Sequence, residues 1–207
     1  MNTRGGFDSI ARVYDTMAYI VFGNDLRRAQ QTYLNRLPTE GRVLIIGGGT
    51  GWILKEVLRK SPELRVDYVE ASEKMISLAK DKTPENNYVN FIHGTEVSIP
   101  MQQYDCIITN FFLDVFSGKN LLGVMGLFRQ RLRTGGIWLC TDFRATSRMD
   151  HKFLIWLMHL FFRMFASLES KALLDFRPYF AQVNMELEVE SEYRNGLIFS
   201  AVYRPSE

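Results

Sequence analysis

Four glycines fall within five positions in the stretch VLIIGGGTGW, residues 43–52, directly after four branched apolar residues. A glycine-rich turn between a buried strand and a helix leaves no Cβ in the way, so a ligand can rest against backbone N–H groups at the positive helix end. The spacing decides which ligand. A dinucleotide fingerprint needs Gly-x-Gly-x-x-Gly, and Trp52 stands where its third glycine would be. The frame that fits is Gly47-x-Gly49-x-Gly51. Glu70 follows Gly51 by 19 residues at the end of a second apolar run, where a carboxylate can accept hydrogen bonds from both hydroxyls of a ribose.

Two further acids stand where a reaction partner would approach. Asp114 lies in NFFLDVF and Asp142 directly after IWLCT. If either faces the cleft it can accept a proton or orient an amine. The structural alternatives are a helix-start or solvated acid for Asp114 and loop capping for Asp142. His93 reads as a strand-end histidine more readily than as a base, because nothing nearby would tune it. His93, His151 and His159 lack ligand-like spacing with the cysteines or acids, so no metal site is expected.

These residues need elements to position them. Val43 to Ile46 reads as a central parallel strand, followed by a helix over 52–60 that Pro62 closes. A second strand (65–69) leads into the helix SEKMISLAKDK with Ser72 as N-cap. Strands at 89–93 and 106–109 follow, then a helix from about 119 to 133 ended by Thr134-Gly135-Gly136, and a fifth strand at 137–141. Five alternating units predict an α/β, doubly wound, mostly parallel Rossmann-like sheet. Residues 7–37 read as one or two helices, and 153–166 and 173–181 as two more. The chain closes with period-two alternation around Arg194-Asn195-Gly196, a C-terminal antiparallel hairpin on an Asn-Gly turn that makes the sheet seven-stranded.

At 207 residues with 46% apolar content the chain suits one domain. Its expected parts are a helical cap (1–38), a ligand-binding core (42–143), a helical lid or interface insertion (144–182) and the hairpin (183–204). The 25 basic and 23 acidic residues are interspersed, which argues against a nucleic-acid track. Cys106 and Cys140 sit in apolar runs as free buried thiols, which fits a reducing, cytoplasmic setting, and the polar N-terminus lacks the order of a secretory signal. The apolar segment FLIWLMHLFFRMF (153–165) is 13 residues long, too short for the roughly 20 of a spanning helix. It is read as a lid over a lipophilic pocket, as a core or homodimer-interface helix, or as a peripheral membrane contact.

The pieces FDSIARVYD, VLIIGGGTG, VDYVEASEKMISLAK, VNFIHGTEVSIP, YDCIITNFFLDVF and LRTGGIWLCTDF occur in the order found in class I S-adenosylmethionine-dependent methyltransferases. The sequence resembles that family over about residues 7–143. It looks most like the branch containing the ubiquinone and menaquinone biosynthesis C-methyltransferases and small-molecule methyltransferases. The resemblance implies an enzyme that binds S-adenosyl-L-methionine, leaves S-adenosyl-L-homocysteine as product, and methylates a small apolar or aromatic acceptor. It further implies that Gly47, Gly49 and Gly51 line the methionine part of the cofactor, that Glu70 holds the ribose, and that Ala71, Ser72 and Met75 flank the adenine. Thr95 and Glu96 correspond to a Gly-Asp-Ala segment with the acid one place late. Asn110 and Phe111 are placed under the sulfonium, and Tyr14 near the cofactor carboxylate on a closing N-terminal helix. One departure is Ile45, where the family usually carries an acid. That substitution and the displaced Glu96 motivate the alternative of a catalytically inactive cofactor-binding or scaffold protein of the same fold.

Overall fold

The computed structural model describes residues 23–83, 88–146 and 173–206. In chain order the elements are α1 (Asp25–Gln31), β1 (Glu40–Ile46), α2 (Trp52–Lys60), β2 (Glu63–Glu70), α3 (Glu73–Lys82), β3 (Val89–His93), β4 (Tyr104–Asn110), α4 (Gly118–Arg131), β5 (Leu132–Phe143), α5 (Arg177–Gln182), β6 (Met185–Tyr193) and β7 (Ile198–Pro205). Short 3-10 turns occupy Leu34–Arg36, Glu96–Ser98 and Leu113–Val115.

The strands form one seven-stranded sheet in the order β3-β2-β1-β4-β5-β7-β6. β1 to β5 pair in parallel, and β7 runs antiparallel between β5 and β6. Val43, Leu44, Ile45 and Ile46 are all buried, because β1 is central and covered on both faces. Alternation assigns them to two cores. Val43 and Ile45 pack with Ile53, Leu54 and Val57 of α2, whereas Leu44 and Ile46 join the cluster that contains Phe128 of α4 and Phe180 of α5. Trp138, fully buried in that second core, donates its indole N–H to Thr109 Oγ1 at 2.9 Å and meets the Phe180 ring edge-on at 4.8 Å. Burying a side chain of this size contributes about 3 kcal/mol, and the satisfied N–H keeps that gain intact.

Ser72 caps α3 as expected, its hydroxyl accepting from the Met75 amide at 3.2 Å. Three local expectations are corrected. The helix expected over 173–181 begins only at Arg177, because Pro178 is tolerated in a first turn and would clash in a helix interior. Thr134, Gly135 and Gly136 do not end α4, which stops at Arg131. They lie inside β5, where Leu132 faces Tyr104 and Ile137 faces Cys106, so four residues oppose the single Asp105. The hairpin turn is not a two-residue Asn-Gly turn: Tyr193 pairs with Ile198, and Arg194, Asn195 and Gly196 all have positive φ in a four-residue connection. β6 forms one edge of the sheet, with glutamates at 186, 188, 190 and 192 and a register shift between Leu187 and Val189.

Candidate active site

Strand order reverses between β1 and β4, and in an open α/β sheet that switch point opens a crevice at the carboxyl ends. The glycine loop after β1 and the turn after β4 meet there. The glycines are required for two different reasons. A Cβ on Gly47 would stand 2.6 Å from the Phe112 ring, one on Gly48 2.2 Å from the Tyr68 ring, and one on Gly51 2.7 Å from Ala79 Cα in α3. These three admit neighbouring parts of the protein. Gly49 differs: its φ is +64° and no heavy atom lies within 4 Å of the Cβ position, so its open side faces space that a ligand can enter.

Glu70 braces this loop from the end of β2. Its Oε2 accepts from the Gly49 amide at 2.9 Å and its Oε1 from the Ser72 amide at 2.9 Å, and the residue is only 7% exposed. Tyr68, two residues earlier on the same face of β2, donates its hydroxyl to Gly49 O at 2.8 Å. Tyr68 is not among the site residues that the sequence motifs single out. Its signal was the i, i+2 spacing to Glu70, which sends both side chains to one side of a strand.

Around this centre, Ala71 is half-buried with its carbonyl 3.0 Å from His93 Nε2, and Met75 is buried in the first turn of α3. His93 is thus an exposed strand-end residue at the loop rim. Thr95 and Glu96 stand half-buried at the start of a 3-10 turn, and neither side chain is hydrogen-bonded among the described residues. Asn110 ends β4, and its side-chain amide donates to Gln30 Oε1 of α1 at 3.4 Å. Arg27 of the same helix lies over the Trp52 ring at 5.3 Å, so α1 covers the crevice rim from above. Phe111 takes φ +51°, an uncommon conformation for an aromatic residue, and its amide donates to Thr141 O at 2.7 Å. Its ring packs on Phe143 at 4.8 Å. Ile45 is 1% exposed, in register with Tyr68 and Ile108, and sits in an apolar cluster that offers a carboxylate no partner.

Asp142 reaches from β5 to the turn after β4 that carries Asp114. Asp142 has no exposed surface; its Oδ2 accepts from the Leu113 amide at 3.0 Å and its Oδ1 from the Phe143 amide at 2.8 Å. Asp114 is half-buried in the same turn. Burial raises its carboxyl to about 6, and burial followed by the Asp114 charge holds Asp142 well above the ordinary carboxylate range. Tyr14 and the segment 151–168, with His151 and His159, lie outside the described residues.

No three His, Cys, Asp or Glu among the described residues are grouped to hold a metal, and no helix among them is long and apolar enough to cross a membrane.

A glycine loop braced by a strand-end carboxylate, at the switch point of a parallel sheet finished by an antiparallel hairpin, defines the class I methyltransferase architecture. A family described as methyltransferase domain matches residues 18–175, and the chain belongs to that family. The malonyl-acyl-carrier-protein O-methyltransferase of Priestia megaterium is 31% identical over 147 residues, covering 70% of this chain and 53% of the relative. The chain spans about half the length of the curated relatives it matches. Among solved structures, a Haloferax volcanii methyltransferase in complex with the Trm112 activator superposes with a TM-score of 0.76 at 16% identity, covering 99% of both chains. DhpI in complex with S-adenosylhomocysteine gives 0.70 at 17% identity, over 97% of this chain and 93% of DhpI. The cofactor of the family is S-adenosylmethionine, and the open side of Gly49 beside the Glu70 carboxylate fits it: no heavy atom lies within 4 Å of a Cβ position there, and the acid stands next to it at the end of β2.

Proposed function

We propose that the chain transfers a methyl group from S-adenosylmethionine to a small apolar or aromatic acceptor, with Gly47, Gly49, Gly51, Glu70, Ala71, Ser72, Met75, Thr95, Glu96, Asn110, Phe111 and Tyr14 on the cofactor side and Asp114 and Asp142 on the acceptor side. The observation that carries this reading is the Glu70–Gly49 hydrogen bond beneath the open face of Gly49. When bound, the cofactor supplies a methyl group activated by its attachment to a sulfonium. The chain's own work is then orientation and exclusion of water. Glu70 fixes the loop, and Asn110 and Phe111 define the floor of the crevice at the end of β4. α1 narrows its mouth through the Gln30 and Arg27 contacts.

An aromatic acceptor is the class that the sequence resemblance implies, and the malonyl-acyl-carrier-protein O-methyltransferase similar to this chain adds malonyl-acyl-carrier protein as a second acceptor to be screened. Two buried free thiols, Cys106 and Cys140, support a reducing, cytoplasmic setting.

Isothermal titration with S-adenosylmethionine and S-adenosylhomocysteine tests the reading. Binding of both is expected, and Glu70→Gln weakens it roughly tenfold or more, because hydrogen bonds to an ionised group contribute about 1.5–3 kcal/mol. Absence of binding to the unaltered chain would remove the proposal.

A further inference from the structure

Two peptide groups meet at the Cα of Gly49, and β2 holds one atom of each. The peptide before it gives its N–H to Glu70 Oε2 at 2.9 Å, and the peptide after it receives the Tyr68 hydroxyl on its carbonyl oxygen at 2.8 Å. Glu70 is itself fixed, because its Oε1 accepts from the Ser72 amide at the start of α3. Peptide groups are planar, so holding the planes on both sides of a residue also holds the two dihedrals between them. Gly49 is held in the left-handed region at φ +64°, with no heavy atom within 4 Å of its Cβ position.

The packing of Tyr68 stops its hydroxyl from simply following the loop. The residue has no exposed surface. Its ring lies against the bare Cα of Gly48, where a Cβ would stand 2.2 Å from Cε2 and 2.6 Å from the hydroxyl oxygen, and it meets the Phe91 ring of β3 at 5.3 Å. Gly48 thus leaves the ring room to reach the next residue, Phe91 backs it, and the hydroxyl arrives at Gly49 from a fixed point. Both of these hydrogen bonds to Gly49 come from β2. On β1 the residue in register with Tyr68 is Ile45, whose side chain can neither give nor accept a hydrogen bond.

We infer that Tyr68 is a positioning residue for S-adenosylmethionine: its hydroxyl, together with the Glu70 carboxylate, sets Gly49 in its ligand-receiving conformation before the cofactor arrives. Glycine loses more conformational freedom on ordering than any other residue. A loop already ordered by the fold spares the bound complex that cost, and the gain is read as affinity. In this chain the tyrosine supplies from β2 a polar hold that the apolar Ile45 cannot supply from β1. Tyr68 is buried and acts through Gly49. Its role rests on the methyl-transfer reading for the identity of the ligand, whereas the two-point hold on Gly49 does not.

Isothermal titration with S-adenosylhomocysteine compares the full chain with Tyr68→Phe, which keeps the ring and removes only the hydroxyl. Affinity is expected to fall about five- to tenfold, the scale of one hydrogen bond. A residue that only packs the core would lower the melting temperature and leave affinity unchanged. Nitrogen-15 relaxation of the Gly49 amide in the ligand-free protein gives the second readout. An order parameter near the ~0.85 of rigid backbone is expected in the unaltered chain and a lower one in Tyr68→Phe, with Leu44 and Ile46 of β1 the same in both. An affinity within about twofold of the parent, an unchanged Gly49 order parameter in the variant, or a Gly49 amide already disordered in the unaltered ligand-free chain overturns the inference. The last of these needs no variant and decides the matter should Tyr68→Phe fold poorly. Failure of the unaltered chain to bind S-adenosylhomocysteine would remove the methyl-transfer reading and leave the relaxation data to judge the hold on Gly49.

Discussion

Gly49 and Gly51 share the left-handed backbone and differ in what lies outside it. Alanine at either position costs about 1–2 kcal/mol of backbone strain. At Gly49 nothing in the protein is struck, so Gly49→Ala is expected to lower the melting temperature by only a few degrees while weakening S-adenosylhomocysteine binding roughly tenfold or more. At Gly51 the added carbon meets the backbone of Ala79, so overpacking of about 1–3 kcal/mol is added and the melting temperature falls further. Calorimetry and thermal melts of the two variants separate ligand-facing from packing glycines. Ile45 allows a complementary experiment. Restoring the family's acid as Ile45→Asp places a charge among Val43, Tyr68 and Ile108, with an expected loss of about 3–5 kcal/mol at pH 7 and a smaller loss at pH 4, where the carboxyl is neutral. Urea unfolding at the two pH values checks it. An equal loss at both would point to shape and not charge.

The turn joining β4 to α4 is the element whose stability should respond to pH. Asp114 and Asp142 bind protons more tightly folded than unfolded, so their contribution is most favourable below the ordinary carboxylate range near pH 4. It is lost as pH rises through about 6 and beyond. Asp142→Asn is expected to flatten that decline, measured as the difference in unfolding free energy between variant and parent from pH 4 to 8. Elements such as these were unevenly legible beforehand. β1, the glycine loop, Glu70 and the Ser72 cap follow from apolar runs and local chemistry, and the structure places them as expected. The path of β5 through Gly135 does not, because a glycine with φ +76° reads the same in sequence whether it ends a helix or opens a strand irregularity. The meeting of Asp142 with the Leu113 turn spans 29 residues of chain, and nothing local to either segment announces it.

For the whole molecule, saturation with S-adenosylhomocysteine at 100 times its dissociation constant should stabilise the fold by about 2.7 kcal/mol, equivalent to roughly 5–10 °C in melting temperature. Glu70→Gln at the same ligand concentration should show a smaller rise, which differential scanning calorimetry can measure. The sheet also bears on how copies of the chain can meet. β6, an edge strand among the described residues, carries a glutamate at every second position from 186 to 192, and its extra residue at Glu188 interrupts the ladder. Glu188 is held by Arg36 and Arg204, Glu190 by Arg144 and Arg177, and Glu192 by Arg144, so a strand laid along this edge would meet a row of ion pairs across an uneven register. That border discourages the open-ended stacking of sheets that leads to fibres, and it directs any pairing of subunits toward some other face.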